Sequence, residues 1–323
     1  LILIGIISLA IFVVGIILLV LGYNDAFYMS DPAVQLIFEA ITFTGEAIFL
    51  VLLVSVFFFV YDKKFAKDLA FSLLFSVYLN EFVKDIIQDP RPSGNLSSEG
   101  EFGYVEEGYG FPSGHSQNAV ATWGYMAYEF KDKPKPLIMP VILSVLIFLI
   151  ALSRIIIGVH DLQDIIGGLL IGIGFLLAYI YLNPIISKKI EPLSLPLKII
   201  LAVGVSLGLF ILGTLLFPTA GLGLLEDPPQ FADAGGFAQS MGAFMGLSVG
   251  YMLEKEYVDY QPSEITSKQK LLNLVIGIVL LLATYLLLEL LIEGNVLLRF
   301  IRYALVAFVV VFLVPLLFTK INK

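Results

Sequence analysis

Leu137–Ser187 reads LIMPVILSVLIFLIALSRIIIGVHDLQDIIGGLLIGIGFLLAYIYLNPIIS. It holds two apolar runs, 137–157 and 161–187, each long enough to cross a hydrocarbon core of roughly 30 Å as an α-helix. A backbone surrounded by lipid must satisfy its own N–H and C=O groups, and a helix of this length does so internally. Ser153, Arg154, His160, Asp161 and Asp164 crowd the junction between the runs. Ionisable groups there are costly unless they serve a site. The stretch therefore reads as two membrane helices joined by a polar turn at one face of the bilayer.

The same pattern extends in both directions. Further apolar runs at 1–22, 36–61, 66–88, 113–130, 197–217, 236–253, 270–292 and 296–319 bring the total to ten. The expected fold is all-α, a polytopic transmembrane helical bundle of about ten spans. Composition agrees: of 323 residues, 59% are hydrophobic and 14% charged, with a mean hydropathy of +0.94. A soluble domain would be about a quarter charged. There are no cysteines, which excludes disulfides, thiolate metal sites and cysteine nucleophiles. Leu1–Gly22 is longer than a signal-peptide core and lacks a small-residue cleavage pattern after it, so it reads as a retained span.

Basic residues set the orientation. With the N-terminus inside, the cytoplasmic side receives Lys63, Lys64, Lys67, Lys131, Lys133, Lys135, Lys188, Lys189, Lys198, Lys255, Lys268, Lys270, Lys320 and Lys323. Outer connections carry Asp25, Asp31, Glu99, Glu101, Glu106, Glu107, Glu226, Asp227, Asp233 and Glu293. Both termini are thus expected in the cytoplasm. The net charge of −8 has therefore to be read loop by loop; the expected partner is the bilayer itself, and no nucleic acid is expected. Two outer connections are long, 89–112 and 218–235, the latter with Pro218, Pro228 and Pro229. A Pro-containing stretch, Glu191–Pro196, divides residues 1–190, with six spans, from 191–323, with four.

Three short motifs stand at predicted outer ends of spans. The third span closes with Lys84, Arg91 and Pro92; two cations seven residues apart offer several donors to a phosphoryl group if the helix reaches that far. Snorkelling anchors are the plainer reading, adequate for Arg91 but poor for Lys84, which lies about two turns inside. Pro112-Ser113-Gly114-His115 opens the fourth span, where unpaired N–H groups, a capping hydroxyl and a glycine suit an anion, or simply cap a helix. Ser153-Arg154 then precedes His160 and Asp164, spaced i and i+4 as neighbours on a helix face. A carboxylate so placed accepts the Nδ1 proton and leaves Nε2 to attack, although a buried Asp paired with Arg for stability would use the same residues. Each motif has an ordinary explanation; together they use both histidines of the chain.

The set Lys84-x6-Arg91-Pro92, Pro112-Ser113-Gly114-His115 and Ser153-Arg154-x5-His160-x3-Asp164 resembles the signature of the type-2 phosphatidic-acid phosphatase superfamily, and every motif position matches. That family includes lipid phosphate phosphatases, isoprenyl pyrophosphate phosphatases, glucose-6-phosphatase and vanadium haloperoxidases. The resemblance implies a six-helix phosphatase core, here 1–190, which leaves 191–323 as a four-helix C-terminal extension of unknown role. It implies that His160 attacks phosphorus to give a phosphohistidine, with Asp164 orienting the ring. His115 would protonate the leaving oxygen and then activate water. Lys84, Arg91, Ser113, the Gly114 N–H and Arg154 would hold the phosphoryl oxygens. Neither a metal nor a cofactor is implied. The expected function is metal-independent hydrolysis of a phosphate or pyrophosphate monoester, of a lipid foremost, on the extracytoplasmic face. A glucose-6-phosphatase-like sugar phosphatase, a lipid phosphotransferase and a transporter are the alternatives.

Smaller features complete the reading. Glu39 and Glu46 in the second span could pair with Lys84, line a substrate path or bond between helices. Gly242, Gly246 and Gly250, and likewise Gly204 and Gly208, predict close helix packing. Arg299 and Arg302 suit headgroup contact, and Asn95-Leu96-Ser97 matches a glycosylation acceptor.

Overall fold

The computed structural model describes residues 2–24, 28–92, 108–131, 138–216, 236–292 and 295–322, and among these described residues every regular element is a helix. Asp25, the glycosylation sequence Asn95–Ser97, Glu99, Glu101, Glu106, Glu107, Lys133, Lys135, Pro218, Glu226, Asp227, Pro228, Pro229, Asp233, Glu293 and Lys323 lie outside them. In chain order the helices are α1 (Ile2–Val20), α2 (Pro32–Phe43), α3 (Ala47–Val60), α4 (Lys63–Ile87), α5 (Gly114–Ala119) and α6 (Tyr125–Glu129), the last two joined by a π turn at Val120–Gly124. Then follow α7 (Ile138–Ile156), α8 (Leu162–Ile190), α9 (Leu195–Leu216), α10 (Gly236–Tyr257), α11 (Ser267–Leu291), α12 (Val296–Phe308) and, after a second π turn, α13 (Val314–Ile321).

Helices thus occupy all ten predicted positions, but among the described residues five are long and apolar enough to cross a membrane. These are Ile138–Ile156, Leu162–Ile190, Leu195–Leu216, Ser267–Leu291 and Val296–Ile321; α2 and α3, bent by 45° at a short break, make a sixth if counted as one span. The chain is a multi-pass integral membrane protein. α4 falls short because of its polar content. Asp68, Ser72, Ser76, Asn80 and Lys84 recur every fourth residue along it, and all are buried. Polar side chains on one helix face belong against protein rather than lipid.

The described residues of Leu1–Leu50 and Leu79–Asn183 form one compact unit, and those of Val51–Tyr78, Pro184–Thr219 and Phe231–Lys323 another. In the first, α8 meets α5 through glycines: a Cβ on Gly168 would lie 2.6 Å from Ser113 O, and one on Gly172 would lie 2.8 Å from Gln117 O. α2 begins at an Asp31 cap whose Oδ1 accepts the Ala33 and Val34 N–H groups at 3.0 and 3.1 Å.

In the second unit the predicted glycine stripe of α10 lies against α12. A Cβ on Gly242 would sit 2.3 Å from Phe300 O and one on Gly246 2.0 Å from Ala304 O, so the two backbones touch. The prediction for Gly204 and Gly208 does not hold, since a Cβ at either meets nothing within 4 Å. α9 turns its other face inward, burying Ser206, Phe210 and Gly213. Lys63 Nζ donates to both carboxylate oxygens of Glu254 at 2.7 and 2.8 Å, and Glu254 Oε1 also accepts Tyr260 N–H at 2.8 Å. Phe59, Tyr260 and Phe318 pack beside this pair in an apolar cluster.

Candidate active site

α7 ends in a reversal that delivers the second histidine. Val159 and His160 N–H donate to Arg154 O at 3.2 and 3.3 Å, and Gly158 N–H donates to Ile155 O at 3.1 Å. Such a reversal needs a left-handed residue, which Gly158 supplies at φ 86°. His160 emerges fully buried. α8 starts two residues later with a reciprocal cap. Asp161 Oδ1 accepts Asp164 N–H at 3.0 Å, and Asp164 Oδ2 accepts Asp161 N–H at 3.3 Å. The same Oδ2 lies 2.9 Å from His160 Nδ1. The expected i, i+4 pair is present, but this capping turn makes it rather than a shared helix face, because α8 begins only at Leu162.

Lys84 and Arg91 differ from expectation in the same way. α4 ends at Ile87, and Gln88 turns left-handed at φ 54°, just before Asp89-Pro90, where proline disfavours further helix. Lys84 therefore lies in the last turn instead of two turns inside, and Arg91 lies in the loop. From there Arg91 Nη1 reaches His160 Nε2 at 3.2 Å and donates to Val159 O at 3.0 Å, while its Nε donates to Gly108 O at 3.0 Å. A guanidinium has no acceptor, so in this contact His160 Nε2 presents a lone pair and Nδ1 carries the proton given to Asp164.

Segment 108–110 threads between the end of α4 with its following loop and the Asp164 carboxylate. Lys84 Nζ donates to Tyr109 O at 2.8 Å, and Gly110 N–H donates to Asp89 O at 2.7 Å. A Cβ on Gly110 would lie 2.9 Å from Asp164 Oδ2 and 3.0 Å from Pro90 O, so the passage admits only glycine without displacement. Ser113 N–H donates to Asp164 O at 3.0 Å. Its Oγ caps α5, accepting from Ser116 N–H at 3.4 Å and Ser116 Oγ at 3.1 Å. Gly114 is the first residue of that helix; a Cβ there would stand 3.1 Å from Asn80 Oδ1. Asn80 Nδ2 in turn donates to Pro112 O at 3.2 Å and Gln117 Oε1 at 2.9 Å.

Lys84, Arg91, Ser113, Gly114, His160 and Asp164 are thus joined by a short chain of contacts within one unit. The remaining two predicted residues lie against the C-terminal end of α2. Arg154, fully buried, donates from Nη1 to Thr42 Oγ1 at 3.1 Å, and the Thr42 and Ser153 hydroxyls are 2.5 Å apart. His115 Nε2 lies 3.1 Å from Glu46 Oε1, at the break between α2 and α3. Of the readings open for Glu46, the bond between helices is the observed one; Lys84 is occupied by Tyr109 O. Thr42, Asp89 and Tyr109 carried no sequence signal, since ordinary residues and a backbone carbonyl have no recognisable spacing.

Residues 65–187 match the PAP2 superfamily model, and residues 238–323 match the model described as the transmembrane extension of PAP2 superfamily phosphatases. Phosphatidylglycerophosphatase B of Bacillus subtilis is 29% identical over 160 residues, 46% of this chain and 74% of that protein. Lipid phosphate phosphatase delta of Arabidopsis thaliana is 26% identical over 132 residues, covering 37% of this chain and only 31% of that longer protein. A crystal structure of a transmembrane PAP2-type phosphatidylglycerolphosphate phosphatase from Bacillus subtilis covers 55% of this chain and 96% of its own, with 22% identity and a TM-score of 0.43.

Proposed function

The chain belongs to the PAP2 superfamily of membrane phosphatases and carries that superfamily's transmembrane extension, and from this premise we propose that it hydrolyses a lipid phosphate or pyrophosphate monoester through a phosphohistidine. The proposed reaction takes place at the extracytoplasmic face, within residues 1–190, while 191–323 serve as a membrane extension; the chain would cross the bilayer ten times. The observation that carries the reading is the state of His160, with Nδ1 at 2.9 Å from Asp164 Oδ2 and Nε2 at 3.2 Å from a group that can only donate. An imidazole whose lone pair is held on the nitrogen away from the carboxylate is prepared for in-line attack once a phosphoryl group displaces the guanidinium.

In the proposed reaction a phosphoryl group takes over the Arg91 donors. Lys84, Ser113, the Gly114 N–H and Arg154 complete the set that neutralises its oxygens as charge builds. His160 Nε2 forms the N–P bond as the P–O bond of the substrate breaks, and His115 protonates the departing oxygen. Water then attacks phosphorus while His115 takes its proton, the N–P bond breaks and phosphate leaves. A lipid substrate is favoured because a site beside membrane helices lets an acyl or prenyl tail stay in the bilayer. The two relatives named above are also lipid phosphatases by name.

The test is phosphate release by the purified protein in detergent from a panel of phosphatidate, phosphatidylglycerol phosphate, isoprenyl pyrophosphate, sphingoid phosphate and glucose 6-phosphate. Turnover of lipid members, unchanged by EDTA and inhibited by vanadate, is expected. His160→Ala should lower kcat by roughly 10³-fold or more. Full turnover by that variant would remove the mechanism.

A further inference from the structure

The reaction outlined above provides Asp164 for the nucleophilic histidine and assigns nothing to hold the other one. Glu46 occupies that place. Its Oε1 is 3.1 Å from His115 Nε2, with the Glu46 side chain 30% exposed and the His115 side chain 13%. This is no chance meeting of two long side chains on a surface. α2 stops at Phe43 and α3 starts at Ala47, bent by 45°, so the break falls on Thr44, Gly45 and Glu46. Gly45 is buried in the break, and a Cβ there would lie 3.0 Å from His115 Cδ2 and 3.2 Å from Ile150 Cγ2. The ring thus has its Cδ2 close against Gly45 and its Nε2 addressed by a carboxylate.

We propose that Glu46 is the positioning residue of the acid–base histidine: it orients His115 and stabilises the imidazolium that must exist before the leaving oxygen is protonated. This inference rests on the phosphohistidine reading. In the first step His115 starts as the imidazolium, with the Nε2 proton shared with the Glu46 carboxylate. The proton on its other ring nitrogen goes to the oxygen released as the P–O bond breaks. In the second step the neutral ring takes a proton from water as the water oxygen bonds to phosphorus and the N–P bond opens. Each turn returns His115 and Glu46 to their starting charges. A carboxylate at Nε2 keeps that proton in place while the opposite ring nitrogen gives up its own and later takes one back.

The chemistry gives a readout that a purely structural role would not move. An alkyl leaving group, such as the glycerol oxygen of a lipid phosphate, needs a proton as it departs, whereas p-nitrophenolate departs without one. Glu46→Gln should lower kcat/KM, which reports the steps up to phosphohistidine formation and leaves out the water step common to both substrates, by about tenfold to a hundredfold on a short-chain phosphatidate and by less than about threefold on p-nitrophenyl phosphate. The retained aryl activity also reports that the variant is folded. Glu46→Asp should recover part of the loss. In a His115→Ala background, Glu46→Gln should have no further effect on either substrate, because its partner is gone. Equal losses on both substrates, no loss on the lipid, or effects that add to those of His115→Ala would overturn the role of Glu46. Wild-type-like turnover by His160→Ala would instead overturn the underlying reaction, whatever Glu46 does.

Discussion

At the scale of single residues, the site turns on which ring nitrogen of His160 holds a proton. Asp164 Oδ2 fixes this at 2.9 Å. Asparagine is nearly isosteric with aspartate, but its amide can donate as well as accept. Asp164→Asn therefore allows the ring to turn its lone pair inward, and kcat should fall by roughly 10²- to 10⁴-fold with little change in KM. Steady-state kinetics check the split, and rapid-quench trapping should show slower formation of a labelled enzyme intermediate. The pairing of His160 with Asp164 was legible in the sequence because four residues is a contact distance wherever the chain turns once. The pairing of His115 with Glu46 was not. The two are 69 positions apart, and a glutamate in an apolar span has several available roles until its neighbours are known.

At the scale of elements, apolar run length located the helices well, since burial in lipid imposes a minimum length and forbids charge. The breaks were less visible. Thr44-Gly45-Glu46 contains no proline and sits inside a continuous apolar run, and the π turn at Val120–Gly124 has no composition of its own. The end of α4 was read to within a residue, at 88 against Ile87, because Asp89-Pro90 signals a stop; what the seven-residue spacing of Lys84 and Arg91 could not show is that Arg91 lies in the loop and not on the helix face. Glycine pairs show the same limit. Gly204 with Gly208 and Gly242 with Gly246 have identical spacing, but only the second pair meets another backbone. The difference is measurable. Gly246→Ala forces a methyl towards Ala304 O, 2.0 Å from the ideal Cβ, and should cost about 1–3 kcal/mol. Gly204→Ala meets open space and should be neutral or stabilising by up to about 1 kcal/mol, as expected for alanine in a helix. Thermal unfolding in detergent, with the two variants side by side, reads both.

At the scale of the whole molecule, the orientation drawn from lysines is open to direct measurement, because the natural chain has no cysteine to interfere. Pro90 and Glu191 are both exposed, one beside the site and the other in the turn after α8. In sealed right-side-out vesicles, Pro90→Cys should react with a membrane-impermeant maleimide at once, and Glu191→Cys only after the membrane is opened. The reverse order would move the site to the cytoplasm and with it the pool of substrate. The membrane character and the family were legible from composition and three motifs. The role of the extension was not, because its sequence carries packing residues and no arrangement of groups that dictates a reaction.

In the proposed reaction, the contact of Arg91 with His160 bears on selectivity before any chemistry begins. In the resting site the guanidinium covers the nitrogen that is to react, so a passing electrophile without oxyanions finds no open lone pair. A phosphate ester brings its own means of entry: its oxygens are better partners for the guanidinium than an imidazole is, and in drawing the cation away they bare the atom behind it. The substrate thus arms the nucleophile that will cleave it.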